Sequence, residues 1–154
     1  MPGEKKVRVP PRWVERAAWS VHRAILRFSG GRLGLRRPRP GKWGSLRLTT
    51  VGRLSGQERR VILAYFEDGS DLVLLSMNGW HEGHPAWWLN LREAPEATVE
   101  LGGSDRAVHA RAAEGQERAR LWDRWRTFDK DLDAYASLRS TEAVVVVLEP
   151  RPVV

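Results

Sequence analysis

The feature that most constrains the fold is a succession of six short strand-like runs after residue 43. The runs are rich in apolar and β-branched residues, and turn-forming residues separate most of them. They span Ser45 to Val51, Val61 to Glu67, Asp71 to Met77, Ala97 to Leu101, Arg106 to Ala113 and Ala143 to Glu149. Because most links are as short as those of hairpins, we predict a small antiparallel β-barrel with helices on its outside.

Three helices are predicted around this barrel. From Arg12 to Phe28, apolar residues recur every three or four positions with arginines between them, which indicates a basic amphipathic helix. Pro85 to about Glu93 and Gln116 to Phe128 are the other two. The first helix either packs on the domain or lies on an anionic membrane surface, and both alternatives stay open. We therefore expect a basic arm and helix over 1–42 and a barrel over 43–150, within one domain.

Composition excludes several kinds of site. The chain has 154 residues and no cysteine, so disulfides, thiolate zinc sites and thiol nucleophiles are excluded. Any redox chemistry must come from a cofactor. Apolar runs such as Ala143 to Leu148 are far shorter than the ~20 residues of a membrane span. The N-terminus also lacks the apolar core of a signal peptide, and we predict a cytoplasmic protein.

Positive charge is concentrated in the first part of the chain. Residues 1–60 hold 16 Lys and Arg against 3 Asp and Glu, whereas residues 61–154 hold 10 against 16. The two parts carry +13 and −6, within a net charge of +7. Such a field favours a polyanionic partner, which by composition alone can be nucleic acid, anionic lipid or a phosphorylated cofactor.

A basic turn, Gly52 to Arg60, lies between the first two predicted strands. Gly52 and Gly56 allow the backbone to bend and to approach a ligand closely. Its three arginines offer planar, permanently charged forks that suit phosphate or carboxylate oxygens. The turn therefore predicts an anion site, with an ordinary solvated hairpin as the alternative.

Other motifs give little support to a catalytic or metal centre. His81-Glu82-Gly83-His84 is one residue too short for the zinc-protease helix signature, and no third ligand is marked, so we predict no metal site. A nucleophile-elbow serine, a Walker loop and a dinucleotide-binding glycine fingerprint are all absent from the sequence. The eight tryptophans fit core packing, or alternatively a slot for a flat aromatic ligand.

Four segments together resemble the deazaflavin-dependent nitroreductase family. They are Leu46 to Gln57, Asp68-Gly69, His84 to Pro95 and Val144 to Pro150, and they occur in the order that the family shows. The resemblance runs from about Trp13 to Pro150. It implies a split β-barrel of the FMN-binding type and an oxidoreductase that uses the 8-hydroxy-5-deazaflavin coenzyme, coenzyme F-420. The implied reaction is hydride transfer to a nitro, quinone or other electrophilic acceptor, without a catalytic protein group.

The resemblance also assigns residues. The coenzyme would contact two groups: the turn residues Arg53, Ser55, Gly56, Arg59 and Arg60 at its phosphate, and Met77, Asn78, Gly79 and Trp87 around its ring. The acceptor would contact Tyr65, Trp80 and Tyr135.

The chain departs from the family pattern at several positions. Leu54 replaces a common lysine, Met77 a frequent serine, and Asp129 and Leu132 two spaced tyrosines. The main rival interpretation is therefore a noncatalytic barrel that binds a lipid, haem or another apolar ligand. FMN is the less favoured cofactor. Nucleic acid is a disfavoured partner, because the sequence lacks a recognised nucleic-acid-binding motif. Both a monomer and a homodimer stay open as oligomeric states.

Overall fold

The computed structural model describes residues 9, 11–13 and 35–152. Within these ranges the chain forms six strands: β1 Gly44–Val51, β2 Glu58–Asp68, β3 Asp71–Leu75, β4 Glu96–Glu100, β5 Asp105–Ala112 and β6 Val145–Pro150. The helices in the same ranges are α1 Ala86–Glu93, α2 Gly115–Phe128 and α3 Leu132–Ala136, with one turn of 3-10 helix at Asn78–Trp80.

The strands close into an antiparallel barrel, which confirms the predicted fold class. Their order around the barrel is β1-β2-β3-β6-β5-β4, and β4 pairs with β1 to complete the ring. Arg47 on β1 illustrates the closure, because it lies opposite Ile62 on one side and Glu100 on the other. Hydrogen bonding therefore continues around the ring, which leaves no open sheet edge.

Alternation along the strands separates the interior of the barrel from a second core outside it. Leu46, Leu48, Leu74, Val146 and Leu148 are buried together with residues of α1. The intervening residues of β6, Val145 and Val147, join a second cluster with Leu121, Trp122 and Trp125 of α2. Both faces of β6 are thus covered, which explains its continuous apolar sequence.

Several element boundaries differ from those predicted. β2 begins at Glu58 rather than Val61, because Glu58, Arg59 and Arg60 pair with the end of β1. Two of the basic residues of the predicted turn therefore lie on a strand. The third strand ends at Leu75 rather than Met77, and neither α3 nor the 3-10 turn was predicted.

The predicted N-terminal helix, Arg12 to Phe28, lies almost entirely outside the described residues. The same is true of most of the proposed arm over 1–42. No helix in the part of the chain that the structure describes is long and apolar enough to cross a membrane.

Candidate functional site

The turn between β1 and β2 is closed by its own backbone. Gly52 N donates to Gln57 O at 2.7 Å, and Gly56 N donates to Gly52 O at 2.8 Å. Gly56 has a φ of 72°, a conformation that favours glycine. Gln57 N also donates to Ser55 Oγ at 3.2 Å. The turn is therefore an ordered platform rather than a freely moving loop.

This turn and α1 together enclose a cavity of about 420 Å³, which we call the arginine cavity. Its walls come from the β1–β2 hairpin and from α1. The lining residues are Thr50, Gly52, Arg53, Leu54, Ser55, Arg59, Arg60, Val61, Ala86, Trp87 and Asn90. The structure thus brings five predicted coenzyme residues together at one cavity: Arg53, Ser55, Arg59, Arg60 and Trp87. Gly56 lies in the turn but does not line the cavity.

Asn90 links the turn to α1 and was not predicted. Its side chain is only 4% exposed, and its Oδ1 accepts a hydrogen bond from Arg53 N at 3.1 Å. The Arg53 guanidinium also reaches this oxygen, at 3.5 Å. Asn90 Nδ2 donates to Thr50 Oγ1 at 3.1 Å. The sequence signal that could have identified Asn90 is its place as a polar residue one helical turn after Trp87, between residues that pack inward.

The donors around the arginine cavity suit a phosphate group. Of the lining residues in the described chain, three are arginines and none is acidic. Arg59 Nη2 donates weakly to Ser55 Oγ at 3.4 Å, and Arg60 lies 3.6 Å from the exposed carboxylate of Glu58. Much of the hydrogen-bonding capacity of these guanidinium groups is therefore free for a ligand.

Gly52 contributes to the fit by its lack of a side chain. A Cβ atom at this position would lie 2.8 Å from Ser55 Oγ and 3.2 Å from Gln57 O. A side chain here would require the Ser55 hydroxyl group to turn away and the Gln57 carbonyl to move by a few tenths of an ångström, so glycine permits this close approach of backbone and hydroxyl group. Leu54, by contrast, is 89% exposed and provides no charged donor at the rim of the cavity.

A second cavity has a volume of about 650 Å³. We call it the tryptophan cavity because Trp43, Trp80 and Trp125 contribute to its walls. The full lining is Leu35, Arg36, Trp43, Ser45, Ile62, Leu63, Ala64, Leu75, Met77, Trp80, Trp125, Asp129 and Leu132. Consecutive segments of β2 line the two cavities, Arg59 to Val61 the first and Ile62 to Ala64 the second.

The predicted ring-binding segment, Met77 to Gly79, follows β3. Met77 lines the tryptophan cavity, whereas Asn78 and Gly79 form the 3-10 turn and line neither cavity. The side chain of Asn78 instead donates to the carbonyl oxygens of Glu82 at 3.0 Å and Gly83 at 3.2 Å. Asn78 therefore shapes the loop that carries Trp80.

The three residues predicted to contact the acceptor occupy different environments. Trp80 lines the tryptophan cavity. Tyr135 stacks on Trp80, with ring centroids 5.9 Å apart and an interplanar angle of 11°. Tyr65 has no exposed surface and packs in the barrel core, where burial raises the pKa of its hydroxyl group. The neighbouring Ala64 lines the cavity instead, because successive strand residues face opposite sides.

The His81 to His84 segment is part of the loop that follows the 3-10 turn. Within the described ranges, no three acidic or histidine side chains are grouped to hold a metal ion. Burial, together with the charges of Arg92 and Arg139, lowers the pKa of His84.

Comparison with known proteins gives this geometry a context. Residues 19–150 match the family described as F420H(2)-dependent quinone reductase. The F420H(2)-dependent quinone reductase Rv1261c of Mycobacterium tuberculosis is 32% identical over 117 residues, which cover 72% of this chain and 77% of the relative.

Solved structures agree with the fold. One described as an F420-H2 dependent reductase, FDR-A, has a TM-score of 0.62 and 26% identity, and the match covers 72% of this chain and 95% of that one. Another, described as a domain-swapped dimer, has a TM-score of 0.66 at 24% identity, covers 90% of this chain and 98% of its own, and supports the fold alone. The family match covers all six strands of the barrel together with the arginine turn and α1, and the chain therefore belongs to the F420H(2)-dependent quinone reductase family.

Proposed function

We propose that this protein uses the reduced 8-hydroxy-5-deazaflavin coenzyme to reduce a small electrophilic acceptor, with a quinone as the first choice and a nitro compound as the second. The observation that carries the proposal is the arginine cavity, where Arg53, Arg59 and Arg60 lie with Trp87 around one space. A cationic end and an aromatic end suit a coenzyme that has a phosphodiester and a flat ring.

The residues of the arginine cavity would hold the coenzyme in two ways. Arg53, Arg59 and Ser55 would donate hydrogen bonds to phosphate oxygens, with Arg60 adding charge at the rim. Trp87 would border the ring, and Asn78 and Gly79 would shape its surroundings from the adjoining loop. The reduced coenzyme, when bound, supplies the hydride, and a proton from water completes the two-electron reduction of the acceptor.

The tryptophan cavity is the proposed place of the acceptor. Its walls are mainly apolar and aromatic, which suits a flat and weakly polar quinone ring. Met77 and Trp80 contact this space. Tyr135 stacks on Trp80 without lining the cavity itself. Because consecutive segments of β2 line the two cavities, the protein would hold the coenzyme and the acceptor close to one another.

The choice of quinone over nitro acceptor rests on the relatives. Those reported above are named as quinone reductases, and 30% or more identity over most of the chain supports a related acceptor. Asp129 and Leu132 line the tryptophan cavity where the family resemblance leads one to expect tyrosines. The individual acceptor can therefore differ from that of the relatives.

Two assays test the function directly. Titration with oxidised deazaflavin coenzyme should quench the tryptophan fluorescence, and the reduced coenzyme should be reoxidised faster when menadione and protein are both present. Binding of FMN in preference to the deazaflavin would overturn the cofactor assignment. No response to the deazaflavin coenzyme, in binding or in turnover, would favour the noncatalytic alternative.

Arginine substitutions test the place of the phosphate. We expect Arg53→Ala and Arg59→Ala each to weaken coenzyme binding by about 1 to 3 kcal/mol, the range for a lost charge-assisted hydrogen bond. Arg106→Ala is the matched control, because it removes an exposed arginine of β5 that lines neither cavity. Binding constants from fluorescence titration should separate the first two variants from the third. Parent-like affinity in both would mean that the turn is ordinary surface.

The sequence-based hypothesis that Arg12 to Phe28 touches an anionic membrane stays a prediction. Sedimentation of the full chain with phosphatidylglycerol vesicles, compared with neutral phosphatidylcholine vesicles, would test it.

A further inference from the structure

Trp80 has a backbone conformation that is unusual for its residue type. Its φ angle is 62°, and the two residues before it, Asn78 and Gly79, have φ angles of 53° and 62°. Glycine adopts this left-handed region freely, and asparagine visits it often, but a bulky side chain does so at a cost in free energy. Such a conformation persists only where the surrounding structure over-determines it, and it is concentrated at functional sites.

The indole of Trp80 occupies a restricted position. The residue is 8% exposed and forms part of the wall of the tryptophan cavity. Tyr135 stacks against it nearly parallel, and the guanidinium carbon of Arg139 lies 5.8 Å from the centre of its ring. These contacts leave the indole little freedom to leave the cavity wall.

Arg139 holds the loop that carries this residue. It is 8% exposed, and its guanidinium group donates to three carbonyl oxygens on that loop. The acceptors are His81 O at 2.8 Å, Gly83 O at 2.9 Å and Ser76 O at 3.1 Å. A buried arginine whose hydrogen bonds go to one loop fixes that loop from the end of β3 to the start of α1.

Glu82 fastens the same loop from its other side. Its carboxylate accepts hydrogen bonds from the backbone and the hydroxyl group of Ser140, at 2.7 and 2.9 Å, and from those of Thr141, at 3.2 and 3.0 Å. Thr141 Oγ1 in turn accepts a bond from Gly83 N at 3.0 Å. Two segments far apart in sequence are thus joined by a dense set of polar contacts.

We propose that Trp80 determines acceptor specificity by narrowing the tryptophan cavity, and that Arg139 and Glu82 are positioning residues that keep its strained turn in place. The inference rests on the proposed function of this cavity as the acceptor site. We expect the indole to narrow this cavity, so that its removal should favour wider ring systems relative to a flat two-ring quinone. This role explains why a strained residue is kept at this position. Glycine would adopt the backbone conformation without strain, but it would leave the cavity wall without the indole.

Two variants at Trp80 distinguish the effect of the indole from the effect of the backbone conformation. Both W80G and W80A remove the indole, but only glycine relieves the left-handed strain. In both we expect the ratio of kcat/KM for anthraquinone sulfonate to that for menadione to rise about tenfold, the order of effect for a change in apolar pocket size. The coenzyme Kd should stay within about twofold of the parent value, since the arginine cavity lacks Trp80. The thermal midpoint of W80G should exceed that of W80A.

The outcomes distinguish this inference from the proposed function. If the parent reduces neither quinone with the reduced coenzyme, the proposed function fails. Calorimetric titration of the coenzyme-free protein then still tests whether W80G binds the wider quinone more tightly than the parent does. An unchanged preference between the two quinones in both variants, by kinetics and by calorimetry, would overturn the role of Trp80. A thermal midpoint of W80G at or below that of W80A would overturn the strain argument.

Arg139 is tested against a matched arginine. R139Q should raise the KM for menadione several-fold and weaken the near-ultraviolet circular dichroism of the Trp80–Tyr135 stack. R139K, which keeps the charge, should restore part of the parent KM and part of the circular dichroism signal. The control is R118Q, because Arg118 also donates to a backbone carbonyl, that of Ala143 at 2.8 Å, and lies over a tryptophan ring away from both cavities. Equal effects of R139Q and R118Q on KM would reduce Arg139 to a general stabilising role.

Discussion

At the scale of single residues, the buried amide of Asn90 is the connection between the hairpin and the helix of the arginine cavity. Its oxygen accepts the bond from Arg53 N, and its nitrogen donates to Thr50 Oγ1. Thr50 is 2% exposed, so the Thr50 hydroxyl group and the Asn90 amide depend on each other for hydrogen bonds. The position of the Arg53 guanidinium is therefore set by a residue that itself carries no charge.

Replacing Asn90 should affect both stability and coenzyme binding. We expect Asn90→Leu to lower the free energy of unfolding by about 1 to 3 kcal/mol, because Thr50 and Arg53 N lose a buried partner. Coenzyme affinity should fall as Arg53 loses its anchor, which fluorescence titration would measure. Thr50→Val is the control, since it removes one hydrogen bond of Asn90 but keeps its contact with Arg53. A Thr50→Val variant that loses as much affinity as Asn90→Leu would contradict the anchoring role.

At the scale of elements, the loop over 78–84 and the segment over 137–144 act as one unit. Hydrogen bonds from Ser140 and Thr141 lower the pKa of the Glu82 carboxyl group to about 2, from an ordinary value of 4.5. The guanidinium group of Arg139 acts on the same loop. Because the carboxylate is the form that accepts these bonds best, its ionisation state affects how strongly the two segments are joined.

The depressed pKa of Glu82 makes this connection depend on pH in a defined direction. A carboxyl group whose folded-state pKa is lowered contributes stability above its unfolded pKa and loses it as the pH falls through the folded value. The difference in unfolding free energy between the parent and Glu82→Gln should thus be constant above pH 4.5 and shrink between 4.5 and about 2. Urea unfolding of both proteins across this range measures it. A difference that grows as the pH falls would contradict the assignment.

At the scale of the whole molecule, the family match, the positive net charge and the closed barrel all fit an enzyme that binds an anionic coenzyme. As a member of its family, the protein is a deazaflavin-dependent oxidoreductase. Its net charge is +7, and Arg36, Arg37 and Arg39 lie close in sequence to the strand that forms one wall of the arginine cavity. A positive field of this kind draws an anionic coenzyme toward the site and adds to the local contacts.

This field should make coenzyme binding sensitive to salt. Raising the salt concentration from about 0.1 M to about 1 M shortens the Debye length from roughly 10 Å to roughly 3 Å and so screens exposed charges. We expect the coenzyme Kd to rise over this range, and to rise less in Arg53→Ala, which has one fewer charge to screen. Binding of menadione, which is neutral, is the internal control. A coenzyme Kd independent of salt would rule out a long-range electrostatic contribution.

Much of the architecture was open to prediction because it depends on local patterns. The six strands follow from alternating or continuous apolar runs, and α1 and α2 from helical spacing, to within a few residues at their ends. The start of β2 was misplaced because Glu58 to Arg60 are polar and join the sheet only through their pairing with β1. Asn90 and Ala64 were missed because their importance depends on which neighbours they meet in space.

The amino-acid sequence by itself determined the antiparallel barrel, the redox cofactor class implied by the family pattern, and the basic turn, since hydrophobic period and fixed charge are properties of the chain. Only the tertiary structure decided that Tyr65 packs in the core while Ala64 lines a cavity, and that Trp87 shares a space with Arg53. It alone joined Arg139 to the loop of Trp80 across 56 or more residues of sequence. The physical reason is that contacts between distant segments depend on barrel closure and side-chain packing, which no local pattern records.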